Sequence, residues 1–309
     1  MISFALLAAH LLYVVAMPIL LTGVINRTKA IWAGRKGPKL LQSAYDLRRL
    51  LRKRSVYSIT TTFVFRAGAW VVISTVALCS LIAPVFPGFA PISFGYDFVA
   101  LAYTLALGRV FLMLSALDTG SAFEGMGASR EALFSLLAEP AYFLVLGALA
   151  MVTGHLALAD VVGSIPRTGA DWLVVGPTLI ALLLLLQIEA ARVPVDDPLT
   201  HLELTMIHEV MILDHSGPEL AAVQYAAAMK LSLYAGLIAA FLNPVPATDT
   251  PVLSIAYSVL IAMGVAVLAG CVESVIARLR MRHVPLYATA AVAAGFFTLC
   301  AATWIRGLG

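Results

Sequence analysis

The chain alternates between long apolar stretches and short polar segments, and the apolar stretches match the thickness of a bilayer. A spanning helix needs roughly 20 mainly apolar residues. About eight such stretches are present, at residues 2–24, 61–84, 97–117, 131–153, 172–190, 219–242, 252–276 and 284–305. The pattern predicts an all-α polytopic membrane protein with a single transmembrane domain over residues 1–309.

Basic residues concentrate in alternate loops. Of the 20 Lys and Arg, 11 lie between Arg27 and Arg66, mostly in loop one, whereas loops two and six (85–96 and 243–251) carry none. Cytoplasmic loops carry an excess of Lys and Arg. We therefore expect the odd-numbered loops to be cytoplasmic and both termini to lie outside.

Composition agrees with a multi-pass protein of the cell (inner) membrane. The chain is 61% hydrophobic and 12% charged, whereas soluble domains are about 45–50% apolar and about 25% charged. The basic run in loop one lies between spans, so loop charge is a better interpretation than nucleic-acid binding. No basic segment precedes the first apolar stretch, which favours a retained span over a cleaved signal peptide.

The three cysteines argue against a redox centre in this chain. Cys79, Cys271 and Cys300 lie in apolar stretches and are far apart in sequence. That spacing fits neither a CxxC metal motif nor an iron–sulfur cluster. We expect all three to be small buried hydrophobes.

Loop one contains a second type of pattern. Residues 40–51 have apolar side chains at helical spacing and charged side chains on the other face. This pattern predicts an amphipathic helix at the membrane surface.

Charged residues inside the predicted spans include Arg109, Glu139, Lys230 and Glu273. Such residues usually face the bundle interior and mark proton or ion pathways. We predict that they belong to a chain of titratable sites, with Lys230 paired to a carboxylate of loop five, the segment between the fifth and sixth predicted spans (residues 191–218). The alternative is that Glu139 and Glu273 lie near the membrane interfaces, with Arg278 neutralising Glu273.

The segment from residue 189 to 217 packs acids, histidines and an arginine into an otherwise apolar region. Pro194 and Pro198 prevent a helix from continuing beyond the fifth span, and Thr200 has capping-box spacing to Glu203. We predict a polar pocket whose carboxylates exchange protons; the alternative is an ordinary solvated loop. The candidate relay acids here are Glu189, Glu203, Glu209 and Asp214. No HExxH pattern is present, which disfavours zinc.

The third loop, residues 118–131, is rich in glycine. It lacks the strand and the Lys-Ser/Thr pair of a phosphate-binding loop. We expect a tight turn that packs against another chain.

Several motifs resemble one family. GPKLLQSAYDLRRL at residues 37–50 is similar to the GPxxxQxxxDxxKL signature of the complex I subunit 1 family, and EAARVPVD at 189–196 resembles its ExxRxPxD loop. GMGASRE at 125–131 and HLELTMIHE at 201–209 resemble the branch found in membrane-bound [NiFe] hydrogenases of the formate hydrogenlyase and hydrogenase-4 types. The resemblance covers essentially the whole chain.

The resemblance implies a membrane anchor and ion-translocating subunit without cofactors of its own. The implied partners are the [NiFe] hydrogenase large and small subunits, an iron–sulfur protein and antiporter-like membrane subunits, and the [NiFe] centre and iron–sulfur clusters would lie in those partners. Family acids matching Glu139, Glu189 and Glu203 belong to an acidic channel leading from the arm into the membrane. The predicted arm interface comprises Gln42, Asp46, Arg49, Arg130, Arg192, Asp196, Asp197, His201 and His208.

The chain also departs from the complex I pattern. Asp214-His215-Ser-Gly replaces the usual Glu-Tyr-Ser-Gly, and Leu199 and Thr200 replace acidic residues of the quinone-reducing members. These differences favour the hydrogenase branch over quinone reduction. The open alternatives are the quinone-site subunit of a respiratory NADH:quinone oxidoreductase, a stand-alone secondary transporter, and an anchor with a purely structural role.

Overall fold

A computed structural model describes residues 2–165, 171–196, 206–247 and 249–308. Within these ranges the chain is helical and contains no β-strand. The helices are α1 (Ile2–Trp32), α2 (Gln42–Leu51), α3 (Phe63–Ile82), α4 (Asp97–Asp118), α5 (Ala122–Thr153), α6 (Leu158–Gly163), α7 (Trp172–Glu189), α8 (His208–Met211), α9 (Gly217–Leu242), α10 (Pro251–Val275) and α11 (Val284–Leu308).

Among the described residues, eight helices are long and apolar enough to cross a membrane. They are α1, α3, α4, α5, α7, α9, α10 and α11, which confirms the predicted number of spans. An even number of crossings puts both termini on the same side of the membrane. Which side that is stays a prediction from the loop charges.

Helix α9 is the centre of the bundle. It contacts α1, α3, α7 and α10, and most of its residues are buried. Its sequence is rich in alanine, and small residues allow helices in a membrane to approach closely. Residues on α9 are therefore shielded from lipid on nearly every side.

The pair formed by α3 and α4 shows why small residues lie at these contacts. A Cβ atom at Gly108 would lie 2.3 Å from Thr75 Oγ1, and one at Gly68 would lie 2.6 Å from Ser115 Cβ. The two helices can pack this closely only because both positions are glycine. Gly108 thereby sets the position of its neighbour, Arg109.

Two spans extend by eight or nine residues beyond their predicted limits. The prediction ended α1 at residue 24, but the helix continues to Trp32, and Lys29 near its end pairs with a buried carboxylate. The prediction that residues 118–131 form a tight turn is wrong, while packing of this segment against another chain stays a prediction. Helix α5 begins at Ala122, and its glycine-rich first turns pack against α8 of the same chain, where a Cβ at Gly127 would lie 2.4 Å from Val210 Cγ1.

The amphipathic helix predicted in loop one is present as α2, and none of its residues is fully buried. It packs against α9 and α1.

The expectation that all three cysteines are buried holds only for Cys79, because Cys271 is half-buried and Cys300 is exposed. In a membrane an apolar side chain gains little from burial between helices compared with lipid contact, so hydropathy does not distinguish the two positions.

Candidate functional site

The most highly charged site in the described interior surrounds Arg109 on α4. Its guanidinium Nη1 lies 2.9 Å from Glu139 Oε1, and its Nε lies 3.4 Å from Glu131 Oε1. Nη2 donates a hydrogen bond to Glu189 Oε1. Only 5% of the Arg109 side chain is exposed. One guanidinium thus contacts three carboxylates, two from α5 and one from the last residue of α7.

Lys230 on α9 adds a second cation to this site. Its Nζ lies 3.6 Å from Glu189 Oε2, so Glu189 is shared between Arg109 and Lys230. The sequence placed the partner of Lys230 in loop five, and the partner is the residue immediately before that loop. Three carboxylates against two cations leave one formal negative charge when every group is ionised. We call Arg109, Glu131, Glu139, Glu189 and Lys230 the Arg109 cluster.

The Arg109 cluster is enclosed on one side and open on the other. Glu189 is almost completely buried, whereas 43% of the Glu139 side chain is exposed. Glu189 Oε2 accepts no hydrogen bond from any described residue. Burying charge in low dielectric is favourable only when the charges are paired and hydrogen-bonded. Because the cluster has one carboxylate more than it has cations, binding one proton would balance its charge.

A second buried ion-pair site lies between α1 and α10. The Glu273 side chain is 0% exposed, and its Oε2 lies 2.9 Å from Lys29 Nζ. Its Oε1 lies 3.7 Å from Arg192 Nη1. The alternative in which Arg278 neutralises Glu273 at the interface is wrong, because Arg278 pairs with Asp196 instead.

Asp196 holds the described part of loop five in place. Its Oδ2 accepts hydrogen bonds from the backbone N–H groups of Ile207 and His208, at 3.1 and 2.9 Å. Its Oδ1 lies 2.9 Å from Arg278 Nη2. Residues 189–196 therefore connect the Arg109 cluster, the Glu273 site and the start of α8 within eight positions.

A cavity of about 240 Å³ lies beneath α2. Its wall comes from α1, α2, α8, α9 and the start of loop five, and it includes Asp46, Arg192, His208, Glu209 and Tyr225. His208 also lines the small space beside Arg109, Glu189 and Lys230. His208 is therefore the ionisable side chain shared by the cavity and the cluster.

His208 and Glu209 lie outside the spanning helices, and burial changes the pKa of each. Desolvation, together with the positive charge of Lys230, lowers the pKa of His208 to about 4. Desolvation, together with the negative charge of Asp196, raises the pKa of Glu209 to about 7. At neutral pH His208 is a neutral imidazole and Glu209 exchanges its proton readily.

The structure brings together four of the predicted relay residues, Arg109, Glu139, Glu189 and Lys230. Glu273 lies in the separate α1–α10 site, and Glu209 lines the cavity. Asp214 is exposed. Glu203, Asp197 and His201 lie outside the described residues.

The predicted arm-interface residues fall into two groups. Gln42 and Arg49 both contact Asp46 on α2, by a hydrogen bond of 3.2 Å and an ion pair of 3.5 Å. Arg192 and Asp196 are buried inside the chain. Arg130 Nη1 donates to the Met206 carbonyl at 2.9 Å, so it too stabilises the packing of loop five on α5.

Sequence reasoning missed Glu131 and Lys29 as members of the buried ion-pair sites. Lys29 lies beyond the predicted end of its span at residue 24, whereas Glu131 is the first residue of the span predicted at 131–153 and was not singled out. Glu131 precedes Glu139 by eight residues, slightly more than two helical turns. Both acids lie within the predicted span, so this spacing was a signal in the sequence that could have grouped them.

Comparisons with known proteins agree with this architecture. The family model described as NADH dehydrogenase matches residues 4–303. The chain is 31% identical over 244 residues to hydrogenase-4 component C of Escherichia coli (strain K12), covering 79% of this chain and 76% of that protein. It is 32% identical over 164 residues to formate hydrogenlyase subunit 4 of the same organism, covering 53% of each chain.

A solved structure shares the fold. A chain of the membrane-bound sulfane sulfur reductase, an archaeal respiratory membrane complex, superimposes with a TM-score of 0.79 over 96% of this chain and 99% of that chain, at 19% identity. The described residues contain no group of three or more His, Cys, Asp or Glu that could hold a metal ion. The family match over nearly the whole length and the eight spanning helices show that this multi-pass membrane protein belongs to the NADH dehydrogenase subunit 1 family, the complex I-like membrane subunits.

Proposed function

We propose that this chain is the membrane anchor and proton-coupling subunit of a complex I-like membrane-bound [NiFe] hydrogenase. In this role it joins a peripheral redox arm to antiporter-like ion-pumping subunits. The [NiFe] centre and the iron–sulfur clusters belong to the partner subunits. The similarity to hydrogenase-4 component C and formate hydrogenlyase subunit 4 supports this branch over other complex I-like assemblies.

The Arg109 cluster is the observation that carries the proposal. Its carboxylates outnumber its cations by one, and Glu189 is shared between Arg109 and Lys230. A carboxylate binds a proton more tightly when a cation moves away and less tightly when a cation approaches. Small displacements of either cation therefore change the proton affinity of the cluster.

Loop five supplies the connection between the arm and this cluster. Residues 189–196 carry Glu189 at one end and Asp196 at the other, and Asp196 holds the backbone at the start of α8. A redox event moves a proton only if it changes the relative free energy of two states of the protein. We infer that the arm acts on loop five and that loop five shifts Glu189 relative to its cations.

The order of polar groups suggests a path for the proton. Glu209 and His208 line the cavity, His208 also borders the Arg109 cluster, and Glu139 is the half-exposed acid at the far side. A proton would enter from the cavity and leave near Glu139, towards the neighbouring membrane subunit. Glu203 is part of this proposal from the sequence alone.

Neutral replacement of the acids in the intact complex tests the proposal. In inverted membrane vesicles we expect Glu139→Gln and Glu203→Gln to lower proton translocation per electron pair while the complex still assembles. Loss of a proton-transferring side chain slows such a step by a factor of about 10²–10⁴. Translocation is measured with a pH-sensitive dye, turnover by hydrogen exchange or evolution, and assembly by native electrophoresis.

The matched control is Asp160→Asn, which removes an exposed acid after the fourth span. It should pump and turn over as the unmodified complex does. If Glu139→Gln and Glu203→Gln also pump normally, the relay assignment is wrong and the chain is an anchor with a structural role. Ion transport by the purified chain alone in liposomes would instead support a stand-alone transporter.

The cavity beneath α2 favours one second candidate, the quinone-site subunit of an NADH:quinone oxidoreductase. Its lining combines Ile19, Leu47 and Ile212 with polar side chains, which is typical of a site for an amphipathic ring compound. Quinone bound in the purified complex, or inhibition by quinone-site compounds, would support this candidate. Co-purified nickel without flavin or quinone would support the hydrogenase assignment.

A further inference from the structure

We propose that the exposed face of α2 binds the phosphate headgroups of anionic phospholipids. The inference does not depend on the proposed proton-coupling role. Tyr45, Arg48, Arg49, Arg52 and Lys53 border one shallow groove. Tyr45, Arg48 and Arg49 are spaced by three and four residues, which places them on one side of α2. Arg52 and Lys53 directly follow Leu51, the last residue of that helix. We call these five residues the basic face of α2.

Two close backbone contacts hold the segments on both sides of α2 against spanning helices. A Cβ atom at Gly23 would lie 2.0 Å from the Leu40 carbonyl oxygen, so the chain before α2 folds back along α1. Gly23 lies nine residues before the end of α1, which is about 14 Å along the helix. After α2, the Arg54 backbone lies against Gly217, the first residue of α9. Helix α2 is thus held beside the spans rather than above them.

The cations of this face are available for a ligand. Arg48, Arg52 and Lys53 are exposed and form no ion pair within the part of the chain that the structure describes. Arg49 lies 3.5 Å from Asp46, with 70% of its side chain exposed. Exposed pairs of this kind contribute little binding energy, so Arg49 also remains available to a phosphate.

Apolar neighbours distinguish a lipid from an acidic protein surface as the occupant. Leu41, Leu51 and Tyr45 are exposed next to the basic groups. An interfacial helix buries such side chains at the boundary between headgroups and acyl chains, while arginine and lysine extend towards the phosphates. A clustered set of cations on such a helix is typical of binding to anionic lipids.

A lipid titration of the purified full-length chain tests the inference. The chain in mild detergent is titrated with phosphatidylglycerol and, separately, with phosphatidylcholine, and bound lipids are counted by native mass spectrometry. We expect a preference for phosphatidylglycerol, and we expect Arg48→Gln/Arg52→Gln/Lys53→Gln to weaken its binding about 100-fold. Phosphatidylcholine binding should not change. An unchanged phosphatidylglycerol affinity in this variant overturns the proposal.

The matched control removes the same charge elsewhere in loop one. Arg35, Lys36 and Lys39 are exposed and precede α2. The triple replacement of these three by Gln should bind phosphatidylglycerol as the unmodified chain does. Equal losses in both triple variants would show a diffuse charge effect and overturn the assignment to this face.

Two further measurements separate the remaining explanations. Arg48→Lys/Arg52→Lys keeps the charge and should bind normally; loss of binding in this folded variant contradicts a charge-based headgroup site. Inorganic phosphate should not displace the lipid, since displacement would indicate a site for a free anion. If neutralising the basic face releases the peripheral arm while lipid binding persists, the face contacts a protein and the proposal fails.

Discussion

His208 and Glu209 are neighbours in the chain, yet burial shifts their pKa values in opposite directions. Desolvation disfavours the charged form of either group, so the pKa of His208 falls to about 4 and the pKa of Glu209 rises to about 7. Both side chains line the cavity beneath α2. At this scale, the choice of residue at two adjacent positions decides which group holds a proton at neutral pH.

The two residues make opposite contributions to stability as the pH changes. Between about pH 4 and pH 6.5 the unfolded chain binds more protons at His208 than the folded chain, so stability rises with pH. Between about pH 4.5 and pH 7 the folded chain binds more protons at Glu209, so stability falls with pH. We expect Glu209→Gln to raise the Tm of the chain in detergent more at about pH 8 than at about pH 5.

Asp214→Asn is the control for this measurement, because it removes an exposed acid five residues away. It should change the Tm less than Glu209→Gln does at about pH 8. A Glu209→Gln effect that is equal at both pH values would contradict the raised pKa of the carboxyl group.

At the scale of elements, the first turns of α5 show a local preference overruled by packing. Each glycine inside a helix costs roughly 1 kcal/mol relative to alanine, and this segment contains Gly125 and Gly127. Gly127 faces Val210 and Met211 of α8 at distances that leave no room for a side chain. The contact with α8 therefore stabilises a helix that the local sequence disfavours.

Gly127→Ala should destabilise the packing of α5 on α8. The added methyl group would lie 2.4 Å from Val210 Cγ1 and 3.0 Å from the Ile207 carbonyl oxygen. Such overpacking typically costs about 1–3 kcal/mol, which we expect to observe as a lower Tm in detergent.

Gly125→Ala provides a matched comparison two residues earlier in the same helix. The nearest atom to its new Cβ would be Leu117 Cδ2, at 4.0 Å. This variant should be neutral or slightly more stable, since alanine is the better helix former. If the two variants have the same Tm, the contact between α5 and α8 is not as close as described.

At the scale of the whole molecule, residues 189–196 at the end of α7 and the start of loop five connect helices that are far apart in sequence. Glu189 binds cations on α4 and α9, while Arg192 reaches the Glu273 carboxylate that α1 also contacts through Lys29. Ion pairs therefore link both sides of the bundle through one short segment. A structural change in loop five would affect both the Arg109 cluster and the α1–α10 contact.

Replacement of Glu273 tests the contact between α1 and α10. Glu273→Gln leaves Lys29 and Arg192 facing each other without a carboxylate, and breaking a buried pair costs up to about 3–5 kcal/mol. We expect a lower Tm for the full chain. Adding Lys29→Gln should restore part of the loss, with a coupling energy of about 0.5–3 kcal/mol. Additive effects of the two replacements would contradict a direct interaction.

Much of the architecture could be predicted because the free energy of transferring a segment into lipid depends mainly on that segment's own side chains. Hydropathy over 20 residues is enough to identify a span, and the alternation in residues 40–51 is enough to identify α2. The predicted end of α1 and the predicted start of α5 were wrong. The helical turns missed there carry Lys29 and Gly127, which contact α10 and α8. Hydropathy contains no information about such partners.

The sequence by itself determined the membrane class, the eight spans, the surface helix and the set of ionisable groups that must find partners in the interior. Each of these follows from the energy of transferring a residue or a segment into lipid. Only the tertiary structure decided that Glu189 bridges Arg109 and Lys230, that Glu131 joins them, and that Glu273 pairs with Lys29 and Arg192. Pairing depends on how each helix is rotated and which neighbour it meets, and close packing through residues such as Gly108 sets both.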